Sequence, residues 1–403
     1  MLFHIIVSIA LGVFAGIITG LIPGIHINLV SIMVIGISGF LLGFASPAAV
    51  GVFIISMAVT HTFLDSIPSI YLGAPDEDTA LAVLPGHQLL LKGMGHEAVK
   101  LTVVGSLFCL LLSIALLPLF VFIFPIIYEK IKSYVGWILL FVVVFMILKE
   151  RKLNTIFWSF VVFLLSGILG IIVVSMEFLS QPLFPMLSGL FGLSTLLFSL
   201  SQEVVLPKQR ITEMAEVDKK DTIKAFAAGI FSGGLTSLFP GLGAAHAAII
   251  AGTFFKGITT LSYLILVGGI NTVNFLLSLV TLYTLGKARN GAVIAVLEII
   301  KSINLQQLLV FVGASLVVGG IATILALKIS RIFCFFIGKL NYKALCISVV
   351  LIVTALVFAF SGFLGLFVLM VSTSIGIIPN LVGVGKNNAM GCLLLPVILY
   401  FLL

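Results

Sequence analysis

Two Pro-Gly pairs stand in otherwise apolar sequence, Pro23-Gly24 and Pro240-Gly241. Proline removes a backbone donor and glycine admits non-helical dihedrals, so each pair is expected to end one helix and let another begin. A helix that starts after such a break aims bare N–H groups and its positive dipole end at whatever lies there, which suits an anion. His26 and Asn28 follow the first break, and Gly243 and His246 follow the second. The competing reading is a pair of ordinary loop turns with carbonyl-bonded histidines.

Charged residues come next. Asp76, Glu77 and Asp78 lie within 71–97, and Lys287 and Arg289 within 283–302, two stretches too polar and too short to span a bilayer. Half-length apolar pieces bracketed by Gly, Pro and charge have the form of re-entrant segments. Irregular backbone at membrane depth survives only where it lines water or is covered by protein. Charges at that depth are functional by default. On that reading Lys287 and Arg289 attract an anionic substrate, while the acidic triplet binds a coupling cation. Against it stands the reading of two solvated loops, or of segments salt-bridged to each other. His61 and Asp65 stand at i, i+4 and share a helical face. They are placed either to relay protons or to make a helix-end hydrogen bond. Gly73 and Gly286 are the glycines common to the two charged stretches.

The elements that position these residues are set by composition. Of 403 residues, 61% are hydrophobic and only 9% charged, and mean hydropathy is +1.34. An ordinary soluble domain carries roughly 25% charged residues, so lipid is the expected solvent. The expected fold is an all-α integral membrane bundle of about 10–14 spans, since each needs about 20 apolar residues. The spans fall at 3–22, 26–44, 47–64, 98–127, 133–149, 153–175, 181–205, 225–239, 243–256, 259–284, 305–329, 343–360, 363–381 and 387–403. The net charge of +7 is scattered through short segments, as for positive cytoplasmic loops, and makes no nucleic-acid stripe. The first apolar run reads as a retained span rather than a cleaved leader. The four cysteines have no framework spacing.

The most polar stretch, 207–224, separates two halves that resemble each other. GVFAGIITGLIPGI (12–25) aligns with GIFSGGLTSLFPGL (229–242) at an offset of 217. YLGAPDEDTALAVL (71–84) aligns with YTLGKARNGAVIAVL (283–297) at 213, which puts Asn274 where His61 stands. FPMLSGLFG (184–192) aligns more weakly with IPNLVGVGK (378–386). The expected organisation is therefore a first membrane repeat at 1–206, a charged cytoplasmic linker at 207–224 and a second repeat at 225–403. Seven spans before the linker would invert the second repeat. Duplicated halves with matched helix breaks point to a secondary transporter with its site at the repeat interface.

The Gly-x-x-x-Gly helices ending in Pro23-Gly24-Ile25-His26 and Pro240-Gly241-Leu242-Gly243 carry a resemblance to a known family. Leu72-Gly73-Ala74-Pro75 through Pro85-Gly86-His87, Lys92-Gly93-Met94-Gly95 and Leu285-Gly286 add to it. Together these motifs cover most of the chain, which resembles the TctA-type large membrane subunit of tripartite tricarboxylate transporters. The sequence departs from the family pattern at His26, at Pro85 and over Lys287 to Gly291. The resemblance implies ion-driven uptake of a tricarboxylate, dicarboxylate or similar organic anion at the cell membrane. It also implies help from a small membrane subunit and an extracytoplasmic binding protein, and a homo-oligomer is compatible with it. Neither cofactor nor metal is expected, only a coupling Na⁺ or H⁺. The alternative is a carrier or flippase of a lipid-linked or phosphate-bearing anion. An enzyme is not expected, because no nucleophile–base pair or His-Glu-x-x-His zinc pattern occurs.

Overall fold

Apolar runs in a solvent without hydrogen-bond partners must satisfy their backbone internally, which leaves the helix. The computed structural model is helical throughout and no strand occurs among the described residues. It describes residues 2–403 apart from 23–30, 32–33, 36–37, 74–82, 149–151, 180–181, 201–206, 212–216, 240–242, 256 and 338–341. The chain is a polytopic all-α membrane protein.

Chain order gives α1 (Leu2–Leu21), α2 (Pro47–Leu64), α3 (Ser66–Tyr71), α4 (Val83–Leu90), α5 (Gly95–Ala115), α6 (Leu117–Ile131), α7 (Val135–Leu148) and α8 (Leu153–Val174). There follow α9 (Leu183–Leu187), a π-helical turn (Ser188–Leu193) and α10 (Ser194–Leu200). Next come α11 (Lys219–Leu238), α12 (Ala244–Phe254), α13 (Thr260–Leu285), α14 (Gly291–Ile300), α15 (Leu305–Ile337) and α16 (Tyr342–Val382). A 3₁₀ turn at Lys386–Met390 leads into α17 (Gly391–Leu402).

Eight helical runs among the described residues are long and apolar enough to cross a bilayer. They are Leu2–Leu21, Pro47–Tyr71, Gly95–Ala115, Leu117–Leu148, Leu153–Val174, Thr260–Leu285, Leu305–Ile337 and Cys346–Val382. Much of the expected span 26–44 lies outside the described residues. The expected pair 343–360 and 363–381 is present as two helical stretches that meet at Gly362, whose φ 61° and ψ −157° are non-helical. Leu183–Phe198, Gly291–Ile300 and Lys386–Leu402 are apolar but short. At 1.5 Å per residue, the ten residues of α14 reach roughly 15 Å, half a bilayer.

The centre of the bundle is α13, whose most apolar stretch is completely buried, with α2 nearly so. Local chemistry fixes where they begin. Ser46 caps α2 ahead of Pro47, and Thr259 and Ser262 form a reciprocal capping box on α13, satisfying N–H groups that a helix start leaves open. Helix α1 lies on α2 and α11 lies on α13, while α5 packs on α13 and α15 on α2. Glycine makes the first two contacts close. A β-carbon on Gly16 would stand 2.5 Å from Thr60 Cβ and 2.6 Å from the Met57 carbonyl oxygen. On Gly233 it would stand 2.7 Å from Val273 Cβ and 3.0 Å from the Ile270 carbonyl oxygen. The second contact is the first advanced by 217 residues on one helix (233 − 16) and 213 on its partner (270 − 57). Gly12 against Phe53 and Ser56, and Gly229 against Leu266 and Gly269, are related by the same two shifts. Small residues that let backbones approach are the usual basis of helix association in lipid.

Candidate functional site

The polar groups of α2 and α13 meet in the middle of this arrangement. Asn271 Nδ2 donates to Asp65 Oδ2 at 2.6 Å, and the Thr62 and Thr272 hydroxyls stand 3.5 Å apart. His61, one turn before Asp65, sets its Nδ1 3.2 Å from Thr19 Oγ1 on α1. Asn274, one turn beyond Asn271, is buried, and its side-chain amide has no hydrogen-bond partner among the described residues. An amide that keeps some exposure among buried helices offers both a donor and an acceptor to a ligand.

The end of α1 arrives beside this crossing, whereas the end of α11 lies further along α13, where Phe239 stacks on Tyr128. Gly20 packs on His61 and Leu64 near the end of α1 at Leu21. Ser237 accepts from Thr281 Oγ1 at 2.9 Å at the end of α11. Thr19 and Thr236, also 217 apart, each bond back to the carbonyl of the glycine three residues earlier, Gly16 and Gly233. Helix α12 starts at Ala244, with the Gly243 carbonyl accepting from Ala247 N. Its N-terminal turn therefore follows the second break directly. Pro23, Gly24, His26, Asn28, Asp76, Glu77, Asp78, Pro240, Gly241 and the side chain of His246 lie outside the described residues.

Gly73 and Gly286 both take φ +64°, each just past a helix end. Left-handed backbone of this kind is glycine territory. Beyond Gly286, Lys287 and Arg289 converge on one phenol. Lys287 Nζ donates to Tyr128 Oη at 2.8 Å and Arg289 Nη2 at 3.3 Å, with the lysine 4.5 Å above the ring. Arg289 Nε is buried without a hydrogen-bond partner among the described residues. Asn290 then caps α14 through Ala292 N at 2.9 Å. The end of α13 lies roughly 16 Å along the axis from Asn274, so the cations form a cluster apart from the α2–α13 crossing.

Three features were not singled out as sites from sequence. Asn271 is one, although it stands in the same GGINTVNF stretch as Asn274. Another joins the charged segment to the first half. Gln209 accepts from Gly95 N and donates to the Leu90 and Pro207 carbonyls, and Arg210 Nε lies 3.1 Å from the buried Glu97 carboxylate. Beside it Tyr71 Oη and His96 Nδ1 both reach Ser330. The third is Lys386, buried against Ser194 and Thr195. Long-range packing builds all three, and no local spacing announces it. A cavity of about 340 Å³ between α1 and α2 is lined by Phe3, Val7, Leu11, Phe44 and Phe53, with His4 and Ser8 as polar exceptions. Its walls suit an acyl chain and not an anion.

Comparison with known proteins agrees with this architecture. The model of a family described as tripartite tricarboxylate transporter TctA matches residues 6–391. An uncharacterized protein of Methanocaldococcus jannaschii is 28% identical over 401 residues, covering 97% of this chain and 98% of its own. No solved structure matches the chain.

Proposed function

The chain belongs to the tripartite tricarboxylate transporter TctA family, and from that premise we propose that it moves a small organic anion by ion-coupled alternating access. Membership makes it a transporter subunit and a multi-pass membrane protein. The finer reading rests on one observation: the Asn274 amide, one turn from the Asp65–Asn271 pair, on the helix that α1 meets at its end and α11 along its length. A carboxylate of the substrate would accept from Asn274 and from the first turn of α12, whose N–H groups and dipole favour negative charge. Helix starts after breaks are the usual anion sites of such carriers.

Lys287 and Arg289 would then gather anions at the end of α13, held ready by Tyr128, and pass them toward the crossing. Asp65, fixed by Asn271, is the acid at the crossing and the first candidate for the coupling cation; the triplet 76–78 is the other. The 217 and 213 shifts that relate the glycine contacts support an internal duplication with the site between the halves. A tripartite carrier implies two partners, which in this reading are a small membrane subunit and an extracytoplasmic binding protein of the cell membrane.

The test is uptake of labelled citrate, succinate and phosphate into liposomes holding the full chain, with and without such partners, under imposed Na⁺ and H⁺ gradients. Uptake of one carboxylate that collapses with its gradient is expected. Silence toward every anion, from protein shown to be folded, would sink this reading in favour of a lipid-linked carrier.

A further inference from the structure

Lys386 is 6% exposed and begins the 3₁₀ turn between α16 and α17. Its Nζ donates to Ser194 Oγ at 2.9 Å and to Thr195 Oγ1. These two hydroxyls donate onward, to the Leu190 and Phe191 carbonyls of the π-helical turn. In the same 3₁₀ turn Asn388 donates to Ser159 Oγ, while its Oδ1 is buried without a hydrogen-bond partner among the described residues. Glycines seal the π turn against α16, where a β-carbon on Gly189 or Gly376 would collide with Ser372 or Leu190.

No carboxylate reaches this ammonium among the described residues, and the sequence has no Asp or Glu after Glu298. The 3₁₀ turn packs against α8, α12, α16 and α17. Helix α8, the π turn and α10 carry no ionisable side chain. The others bring His246 on α12, Tyr342, Lys343 and Cys346 on α16, and Cys392 and Tyr400 on α17. A buried charge without a counter-charge is among the costliest groups a protein can hold, so a chain that keeps one has a use for it. π turns also recur at functional sites.

The partner chemistry says what the work is. A carboxylate only accepts, so it pins a lysine as ammonium. A hydroxyl both donates and accepts. The Ser194 and Thr195 hydroxyls both accept from the ammonium, and one of them, turned around, donates to the single lone pair of the free amine while the other still accepts. The site therefore satisfies both protonation states of a residue that changes charge readily when buried. We propose that Lys386 is a proton-binding site of this carrier. Its amine takes a proton from water on one side of the membrane, crosses as the ammonium together with the organic anion, and gives the proton up on the other side. One proton enters and one leaves per cycle, with no other bond changed. The proposal rests on the transporter reading above, and names H⁺ as the coupling ion and a group apart from the α2–α13 crossing.

The experiment uses the full chain in liposomes with its tripartite partners, and labelled citrate as probe. For wild type, each unit of inward pH gradient is expected to raise citrate accumulation by up to about tenfold per coupled proton. In Lys386→Met and Lys386→Gln, accumulation should ignore the pH gradient, while citrate-for-citrate exchange at equal pH persists and shows the site intact. A Lys386→Met protein that still accumulates citrate with the wild-type pH response overturns the proposal. So does wild-type accumulation that follows Na⁺ and ignores pH, an arm that needs no variant to fold. Wild-type protein that neither exchanges nor accumulates any carboxylate would bring down the transporter reading, and this proposal with it.

Discussion

Removing the Asn271 amide should destabilise the chain through Asp65 and not merely through lost packing. Asn271 Nδ2 reaches Asp65 Oδ2 at 2.6 Å, and both residues are 4% exposed. The bond crosses between the two most buried helices. Interhelical hydrogen bonds in membranes average only about 0.6 kcal/mol in double-mutant cycles. Bonds to charged groups, where the loser is left unsatisfied, are worth about 1.5–3 kcal/mol. The short contact and deep burial place this pair in the second class. A cycle of Asp65→Ala, Asn271→Ala and the double variant, read by equilibrium unfolding in mixed micelles, should give a coupling of about 1.5–3 kcal/mol. The exchange Asp65→Asn with Asn271→Asp keeps a donor–acceptor pair in place and should recover at least half of the loss. A coupling of about 0.5 kcal/mol or less would refute the reasoning, since the two side chains would then be neighbours without dependence.

Arg289→Ala should abolish anion uptake in liposomes while expression and unfolding midpoint stay unchanged; normal uptake would remove Arg289 from the pathway. Gly286→Ala meets open space, so its cost should be the left-handed backbone alone, about 1–2 kcal/mol. Gly73→Ala should cost more by the same unfolding measurement, because its β-carbon would also press on Leu196 Cδ2 at 3.1 Å. Gln209→Ala gives up two hydrogen bonds to the α4–α5 corner and one to the Pro207 carbonyl, about 1.5–4 kcal/mol together. Limited proteolysis should then cut near 207–211 faster than in wild type.

What could be read from the sequence depended on whether the signal was local. Gly12, Gly16, Gly229 and Gly233 were legible because small residues at helical spacing have one common use in lipid, and they sit in the contacts their pattern suggested. Gly73 and Gly286 were legible as a matched pair, and share the same backbone conformation. His61 and Asp65 looked like a pair by their four-residue spacing. In the fold His61 also turns to Thr19, and Asp65 to Asn271, partners that come from other helices and leave no trace in spacing. Lys386 stood in plain view at the end of a quoted motif. Only the fold buries it against α10, so a residue with the profile of a loop lysine became an interior charge. The break between 343–360 and 363–381 was legible too, and it falls at Gly362, whose backbone leaves the helical region.

The paired shifts of 217 and 213 residues in the glycine contacts have a consequence for how this sequence can change with time. One residue of slippage turns a helix by about 100°, which would swing a side chain into the carbonyl that each glycine now faces. Insertions and deletions are therefore forbidden within α1, α2, α11 and α13. The four-residue difference between the shifts has to fall in the connections, between the last glycine contact of one helix and the first of the next. Those connections are the segments that carry Pro23-Gly24 and Pro240-Gly241. The rigid frame thus confines length variation to those connections, where a few residues can be gained or lost while the frame stays unchanged.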